Sequence, residues 1–201
     1  MHPTRRRLIA AAAPALLLPA AAFGQAAQEA PPPDLRLAER ALGRADARVT
    51  VIEYFSLTCG HCAAFHHDTF PRVRTDLVDS GRVRILFRDF PLDQLSLAAH
   101  MVSRVVAPER YVGFLSLLFE QQGRWALARG ADHGGELARL AALAGVSRAQ
   151  FDATLADQAL ARGILEGRQR AEREHGVNST PTFVCGTRGV PGTVNFARFA
   201  E

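Results

Sequence analysis

Two of the chain's three cysteines, Cys59 and Cys62, are separated only by Gly60 and His61 in the stretch FSLTCGHCAAFHH. Two thiols at this spacing can bind a metal ion, close a small structural disulfide, or exchange electrons as a dithiol–disulfide couple. With His66 they supply three metal ligands, whereas a structural zinc site takes four and the sequence shows no second ligand pair. A disulfide that closes so short a loop stabilises a fold little, because loop entropy is smallest for short loops. The spacing therefore favours redox chemistry.

The position of Cys59 gives that chemistry a physical basis. Cys59 lies where a helix is predicted to begin, among unpaired backbone N–H groups and at the positive end of the helix dipole. Both effects favour the thiolate and lower the pKa of Cys59, and His61 can add a positive charge or a hydrogen bond. Cys62 lies further along the helix and is predicted to be buried, with a higher pKa, as the resolving thiol. His66 and His67 are interpreted as ordinary helix residues, one partly packed and one solvated.

The elements around the cysteines follow the order strand, helix, strand. The run RVTVIEYFS (48–56) is β-branched and aromatic, which predicts a strand buried on both faces. Ser56 and Thr58 are favourable N-cap types for the helix that contains both cysteines, and Pro71 is expected to kink that helix. The run RVRILFRDFPL (82–92) predicts the second strand.

The remainder of the chain is helical and then extended. Residues 96–174 show helical patterns separated by Pro108, by the glycines at 130–135 and by Gly145. Strands are predicted again at TPTFVC (180–185) and VPGTV, followed by a short helix in NFARFAE. We therefore expect an α/β fold in which residues 41–95 and 175–201 form one unit and residues 96–174 are a helical insertion.

The N-terminus has the layout of an export signal. Arginines 5–7 precede an apolar run and then small residues, which predicts a signal peptide over residues 1–26. The paired arginines also fit a twin-arginine signal, and an ordinary Sec signal is the alternative. Residues 27–40 are interpreted as a proline-containing leader. The apolar run is short for a membrane span, and no cysteine follows it as a lipoprotein anchor would require.

Charge and length narrow the class of protein further. The formal charge of the whole chain is +4, and without the three signal arginines it is close to +1. This balance gives little support for nucleic-acid binding. About 175 residues remain after the signal, enough for a hydrophobic core without a disulfide framework.

The segment VTVIEYFSLTCGHCAAFH resembles the active-site strand and helix of the DsbA family, the periplasmic thiol oxidants with a thioredoxin fold. The resemblance runs from about Ala41 to Val194 and takes in the helical insertion and the segment GVNSTPTFVCG. It implies a thioredoxin-like fold with an inserted helical subdomain and a location in the periplasm. Many family members have proline where Gly60 stands, and CGHC is the motif of protein disulfide isomerases.

The resemblance also implies roles for individual residues. Cys59 is the nucleophile and Cys62 its partner. Pro181 matches the family's cis-proline, which lets the backbone of Thr180 pair with an incoming extended peptide. Glu53 matches a carboxylate buried beneath the cysteines, a proton acceptor for Cys62.

The expected partners are reduced exported proteins as substrates and a DsbB-type, quinone-linked membrane oxidase. No cofactor beyond the Cys59–Cys62 disulfide is implied, and a monomer is expected. Three alternatives stay open: a disulfide isomerase or reductase, an exported peptide-binding or chaperone-like protein with idle cysteines, and a copper- or zinc-handling protein. The third cysteine, Cys185, is predicted to be a small buried residue on the strand face of Phe183, with a reactive or intermolecular thiol as the alternative.

Overall fold

The computed structural model describes residues 33–201. The predicted signal peptide (1–26) and the first part of the predicted leader lie outside the described residues. Within the rest of the leader, Leu35–Leu37 forms a 3-10 turn that Asp34 caps through the backbone N–H of Arg36. The first strand begins at Arg40.

One mixed five-stranded sheet forms the centre of the part of the chain that is described. Its strand order is β1-β3-β2-β4-β5, with β2 and β3 parallel and every other pair antiparallel. The strands predicted at 48–56, 82–92 and 180–185 are confirmed with small differences in their ends. The strand predicted at VPGTV (190–194) lies earlier, at Arg188–Pro191, and the three-residue edge strand β1 was not predicted. The bounds are β1 Arg40–Leu42, β2 Val49–Phe55, β3 Val83–Asp89, β4 Thr182–Cys185 and β5 Arg188–Pro191.

Helices lie between β2 and β3, between β3 and β4, and after β5. The chain continues from α2 into a π-helical turn at Arg74–Val78, and a 3-10 turn at Pro108–Arg110 precedes α4. No helix within residues 33–201 combines the length and the apolar character needed to cross a bilayer. The bounds are α1 Gly60–Asp68, α2 Phe70–Val73, α3 Gln94–Val105, α4 Tyr111–Glu120, α5 Gln122–Trp125, α6 His133–Leu143, α7 Arg148–Ala156, α8 Gln158–His175 and α9 Phe196–Phe199.

The six helices α3 to α8 lie between β3 and β4 in the chain, so they form an insertion in the α/β unit. The fold class expected from the sequence, a thioredoxin-like fold with an inserted helical subdomain, is confirmed. Pro71 lies at the start of α2, where α1 has just ended. The predicted kink is thus a helix break, since proline is tolerated in a first turn.

The insertion and the sheet share one hydrophobic core. Phe55 of β2 and Phe87 of β3 are fully buried, and Phe65 of α1 packs into the same cluster. Phe119 and Trp125, from the insertion, belong to that cluster and are 1% and 0% exposed. Burying side chains of this size stabilises a fold by roughly 1.5–3 kcal/mol each. The helices of the insertion are therefore held firmly against the active-site end of the sheet.

A buried ionic network joins β3 to α3 beside that end. Asp89 forms hydrogen bonds with His100 (2.9 Å) and with the guanidinium of Arg104 (2.6 Å). Burial alone raises the pKa of Asp89, but Arg104 and His100 outweigh it and hold that pKa at about 2. Arg104 also donates to the backbone carbonyl of Ala38 (2.8 Å). The network fixes the end of β3 against the insertion.

Candidate active site

Cys59 lies at the junction between the central strand and the first helix. Strand β2 ends at Phe55, and α1 begins at Gly60 with Cys59 as its N-cap residue. The backbone N–H of Cys59 donates to the carbonyl of Ser56 (3.1 Å), which closes the turn between the two elements. The predicted strand-to-helix junction is confirmed.

The prediction that Ser56 or Thr58 caps α1 is wrong, because Cys59 occupies the N-cap position. The hydroxyl of Ser56 shares a hydrogen bond with Ser96 (2.7 Å), and that of Thr58 donates to Asp93 (2.7 Å). Both partners lie at the start of α3, where Asp93 is itself the N-cap. These hydroxyls therefore connect the active-site loop to the insertion, and the first N–H groups of α1 remain available to the sulfur of Cys59.

The Cys59 thiol is partly buried and strongly acidified. Its pKa is lowered to about 5, chiefly by a hydrogen bond from the Cys62 thiol; burial opposes this shift. The side chain of Thr180 and the backbone N–H groups of Cys62 and His61 lower it further. Cys59 is consequently a thiolate at neutral pH, which is the reactive form of a cysteine.

Cys62 has the opposite character. Its side chain is fully buried, and this burial raises the pKa of its thiol; the negative charges of Cys59 and Glu53 add to the effect. Both cysteines are free thiols, so the structure is the dithiol form. One accessible thiolate therefore lies next to one inaccessible thiol, as the sequence predicts for a nucleophile and a resolving cysteine.

Glu53 lies beneath this pair, inside the sheet. Its carboxylate is fully buried, and Oε1 is 2.9 Å from Nε2 of His66. The interpretation of His66 as a partly packed, ordinary helix residue is wrong, since its side chain is buried and stacks on Phe119 with ring centroids 4.3 Å apart. His67 is exposed, as predicted. The spacing of His66 four residues after Cys62 was the available signal, because it puts both on one helix face.

His61, the other predicted site residue between the cysteines, is exposed. Its backbone N–H is among the groups that lower the pKa of Cys59. Its carbonyl accepts a hydrogen bond from the hydroxyl of Thr193 (3.5 Å). The contribution predicted for its imidazole stays a prediction.

Thr180 and Pro181 lie beside Cys59, although more than a hundred residues separate them in the chain. The peptide bond between them is cis, which confirms the expectation for Pro181. When Cys59 is protonated, its thiol donates a hydrogen bond to the carbonyl of Thr180 (3.3 Å). Strand β4 starts at the next residue, Thr182, and pairs with β2. The candidate peptide-binding segment and the nucleophile are thus brought together by the sheet.

Gln122 is a contact residue that the sequence interpretation missed. Its side chain is buried, and its amide nitrogen donates to the carbonyls of Leu57 (2.9 Å) and Cys59 (3.1 Å). It lies in the insertion, 63 residues beyond Cys59. No local pattern points to it, because only the packing of α5 against the active-site loop creates the contact.

A metal site at the cysteines would need at least one further side-chain ligand close to both sulfur atoms. Across residues 33–201, no three His, Cys, Asp or Glu side chains are grouped so that they could hold a metal ion. His66, the third ligand considered from the sequence, is hydrogen-bonded to Glu53.

The prediction that Cys185 is buried is wrong: its side chain is exposed. Phe183, on the same strand face, packs between Phe65 and Phe199. Cys185 is the last residue of β4, two positions further on, where it lines an open cleft of about 740 Å³. The strand pattern predicted the alternation along β4 correctly, but burial ends with Val184, and Cys185, at the end of the strand, is open to the cleft.

A vicinal dithiol at the start of a helix, facing a cis-proline strand on this sheet, defines a class of thioredoxin-like proteins. The family model described as Thioredoxin matches residues 36–201, and the chain therefore belongs to this family. The α-DsbA1 protein of Wolbachia pipientis is similar in structure, with a TM-score of 0.74 and 28% identity over 81% of this chain and 87% of that one. The resemblance to DsbA proteins predicted from the sequence is confirmed.

Other relatives agree with this family. BdbD from Bacillus subtilis has the same fold, with a TM-score of 0.72 and 23% identity over 84% of this chain and 92% of that one. A Rickettsia bellii protein, described as a candidate protein-disulfide oxidoreductase, is 24% identical over 146 residues, which are 72% of this chain and 56% of that protein. Disulfide bond formation protein D of Bacillus subtilis is 34% identical over 85 residues, 40% of this chain and 38% of that protein. The chain spans about half the length of the Rickettsia relatives, 56% and 53% for two of them.

Proposed function

We propose that the chain is a periplasmic thiol–disulfide oxidoreductase that donates the disulfide of its CGHC motif to reduced exported proteins. The observation that carries the proposal is the contrast between the two thiols. The pKa of Cys59 is lowered to about 5 at a partly accessible position, while burial raises that of Cys62. A couple of this kind favours its dithiol form, because only that form carries the stabilised thiolate.

The reaction proceeds in two exchanges. A substrate thiolate attacks Sγ of Cys59 in the Cys59–Cys62 disulfide; the bond between the cysteines breaks and Cys62 leaves as a thiolate that takes up a proton. A second substrate thiolate then attacks the substrate sulfur of the mixed disulfide and releases Cys59 as a thiolate. Two electrons pass from the substrate to the enzyme, and the substrate gains one disulfide.

Neighbouring groups support each exchange. Glu53 lies beneath Cys62 and contributes to its raised pKa, so its carboxyl group is the proposed proton donor and acceptor for that thiol. The backbone of Thr180, whose carbonyl contacts the Cys59 thiol, is the proposed pairing site for an extended substrate. His61 is the proposed source of additional positive charge near the sulfur.

The finer parts of the proposal come from the family resemblance. The enzyme is exported by the signal peptide predicted at residues 1–26, acts as a monomer, and is reoxidised by a DsbB-type, quinone-linked membrane protein. It uses no cofactor besides its own redox-active disulfide.

A trapping experiment tests the proposal. In Cys62→Ser the resolving thiol is missing, so mixed disulfides between Cys59 and substrates should accumulate as reducible bands on a non-reducing gel. Cys59→Ser is the matched control and should form none. The absence of bands with Cys62→Ser, together with a wild-type protein that cannot oxidise a reduced substrate, would contradict the proposal.

The glycine of the CGHC motif favours one second candidate, a disulfide isomerase. Refolding of a substrate with scrambled disulfides, at a defined ratio of reduced to oxidised glutathione, separates the two activities. An oxidase accelerates disulfide formation in the reduced substrate much more than it accelerates reshuffling in the scrambled one.

A further inference from the structure

Gln122 connects the helical insertion to the backbone of the nucleophile. It is the first residue of α5, and its side-chain amide donates to the carbonyls of Leu57 (2.9 Å) and Cys59 (3.1 Å). An amide –NH2 group carries two hydrogens, so these two bonds use its whole capacity as a donor. Both acceptors belong to the loop that joins β2 to α1.

The packing of α5 holds Gln122 in a fixed position. Trp125, at the other end of this short helix, is fully buried, and its indole N–H donates to the carbonyl of Leu118 (2.7 Å). The carbonyl of Trp125 accepts a hydrogen bond from the ring of His133 (2.8 Å). The amide group is therefore placed before any substrate arrives.

The two carbonyls that Gln122 binds belong to the residues on either side of Thr58, and one of these residues is Cys59 itself. The carbonyl of Cys59 also accepts the first helical hydrogen bond, from the N–H of Ala63 (3.1 Å). Carbonyl oxygens carry partial negative charge and disfavour a nearby thiolate, whereas amide hydrogens carry partial positive charge and favour it. By donating to these two carbonyls, the Gln122 amide orients the loop and offsets the partial negative charge of the carbonyl oxygens.

We propose that Gln122 is a positioning residue for the redox pair, which holds the loop carbonyls with its amide hydrogens and thereby favours the thiolate of Cys59. The inference rests on the proposed function and extends it. A thiolate exists in the reduced enzyme and not in the disulfide form, so Gln122 stabilises the reduced enzyme selectively. In the overall reaction, enzyme disulfide and two substrate thiols give substrate disulfide, the Cys59 thiolate, the Cys62 thiol and one released proton.

The test compares Gln122→Met with Gln121→Met. Methionine approximates the length of glutamine and removes both donors, and Gln121, the N-cap residue just before Gln122, makes no side-chain capping hydrogen bond to α5. Two quantities are measured: the titration midpoint of Cys59, by thiolate absorbance, and the equilibrium constant for oxidation of glutathione by the enzyme. In Gln122→Met we expect a higher midpoint and an equilibrium constant lower by roughly three- to tenfold, the factor that corresponds to one hydrogen bond. Gln121→Met should match the wild type.

Two results would overturn the inference. One is a Gln122→Met protein that is less stable in urea denaturation but keeps the titration midpoint and the equilibrium constant within about twofold of the wild type. Gln122 would then stabilise the fold without affecting the redox pair. The other is an equal shift in Gln121→Met. If Cys59 of the wild-type protein instead titrates like a free cysteine, the proposed function itself is wrong. This result is seen in the wild type without any variant, so it is distinguished from a failure of the inference about Gln122 alone.

A measurement on the wild-type protein covers the case in which Gln122→Met does not fold. In the reduced protein, the side-chain amide resonances of Gln122 should shift in NMR spectra with the same midpoint as Cys59. They should not shift over that range in Cys59→Ser. Resonances that do not respond to the titration of Cys59 in the wild type would contradict the inference.

Discussion

Glu53 and His66 lie on different elements, β2 and α1, and their side chains meet at 2.9 Å beneath the cysteine pair with 0% and 2% of their surface exposed. Each has one further polar atom, Oε2 of Glu53 and Nδ1 of His66, that finds no hydrogen-bond partner among residues 33–201. A buried carboxyl group needs a partner, since an unpaired one is costly. The contact with His66 therefore offsets part of the cost of burying a carboxyl group close enough to Cys62 to affect its pKa.

The stability of the protein should depend on this pair. His66→Leu leaves the Glu53 carboxyl buried without its partner, and we expect a loss of roughly 3–5 kcal/mol in the free energy of unfolding. Urea denaturation measures it. His67→Leu, at the exposed neighbouring position, is the control and should change stability by less than about 0.5 kcal/mol. The double variant Glu53→Leu/His66→Leu should recover part of the loss; a double variant less stable than His66→Leu alone would contradict the pairing.

Thr180 should tune the reactivity of Cys59. Its hydroxyl is buried without a hydrogen-bond partner among residues 33–201 and is among the groups that lower the pKa of Cys59, so it is available to donate to the thiolate. Valine keeps the shape of threonine without the hydroxyl. We expect Thr180→Val to raise the pKa of Cys59 and to slow alkylation by iodoacetamide at pH 5. Thr182→Val, which removes the hydroxyl that donates to Ser179, is the matched control. Equal alkylation rates in both variants would show that the hydroxyl of Thr180 has no influence on the sulfur.

The reduced protein should gain stability over the oxidised protein as the pH rises. The pKa of Cys59 is about 5 in the folded dithiol form, below the ordinary value of 9.0, so its stabilising contribution appears above pH 5 and is complete near pH 9. The disulfide form has no such group. We expect the difference in Tm between the two forms to shift in favour of the reduced one from pH 5 to pH 9. A constant difference over this range would mean that the thiolate is not stabilised by the fold.

Acid should weaken the network around Asp89. Its pKa is about 2 in the folded protein and 3.8 ordinarily, so its contribution is present above pH 4 and is lost as the pH falls towards 2. We expect Asp89→Asn to be less stable than the wild type at pH 7 and to lose less stability between pH 4 and pH 2. Asp79→Asn, at an exposed position, should follow the wild-type curve. Parallel acid curves for Asp89→Asn and the wild type would contradict this role.

Local sequence determined the reactive centre. A strand pattern, a CxxC motif and a helical pattern follow one another within about twenty residues, and a helix start alone supplies N–H groups to a cysteine placed there. The strands and the helical insertion were predictable for the same reason, since hydrophobic periodicity is a property of neighbouring residues. The family resemblance added Pro181, Thr180 and Glu53, which no local pattern links to Cys59.

Only the tertiary structure decided which distant groups reach the sulfur atoms. Gln122 contacts the loop because α5 packs against it, His66 pairs with Glu53 because α1 lies across β2, and both contacts need the shared core of sheet and insertion. The exposure of Cys185 was decided in the same way, because distant segments of the chain form the open cleft at the end of β4. Contacts between residues far apart in sequence depend on the path of the whole chain, and a pattern read along a few residues contains no information about that path.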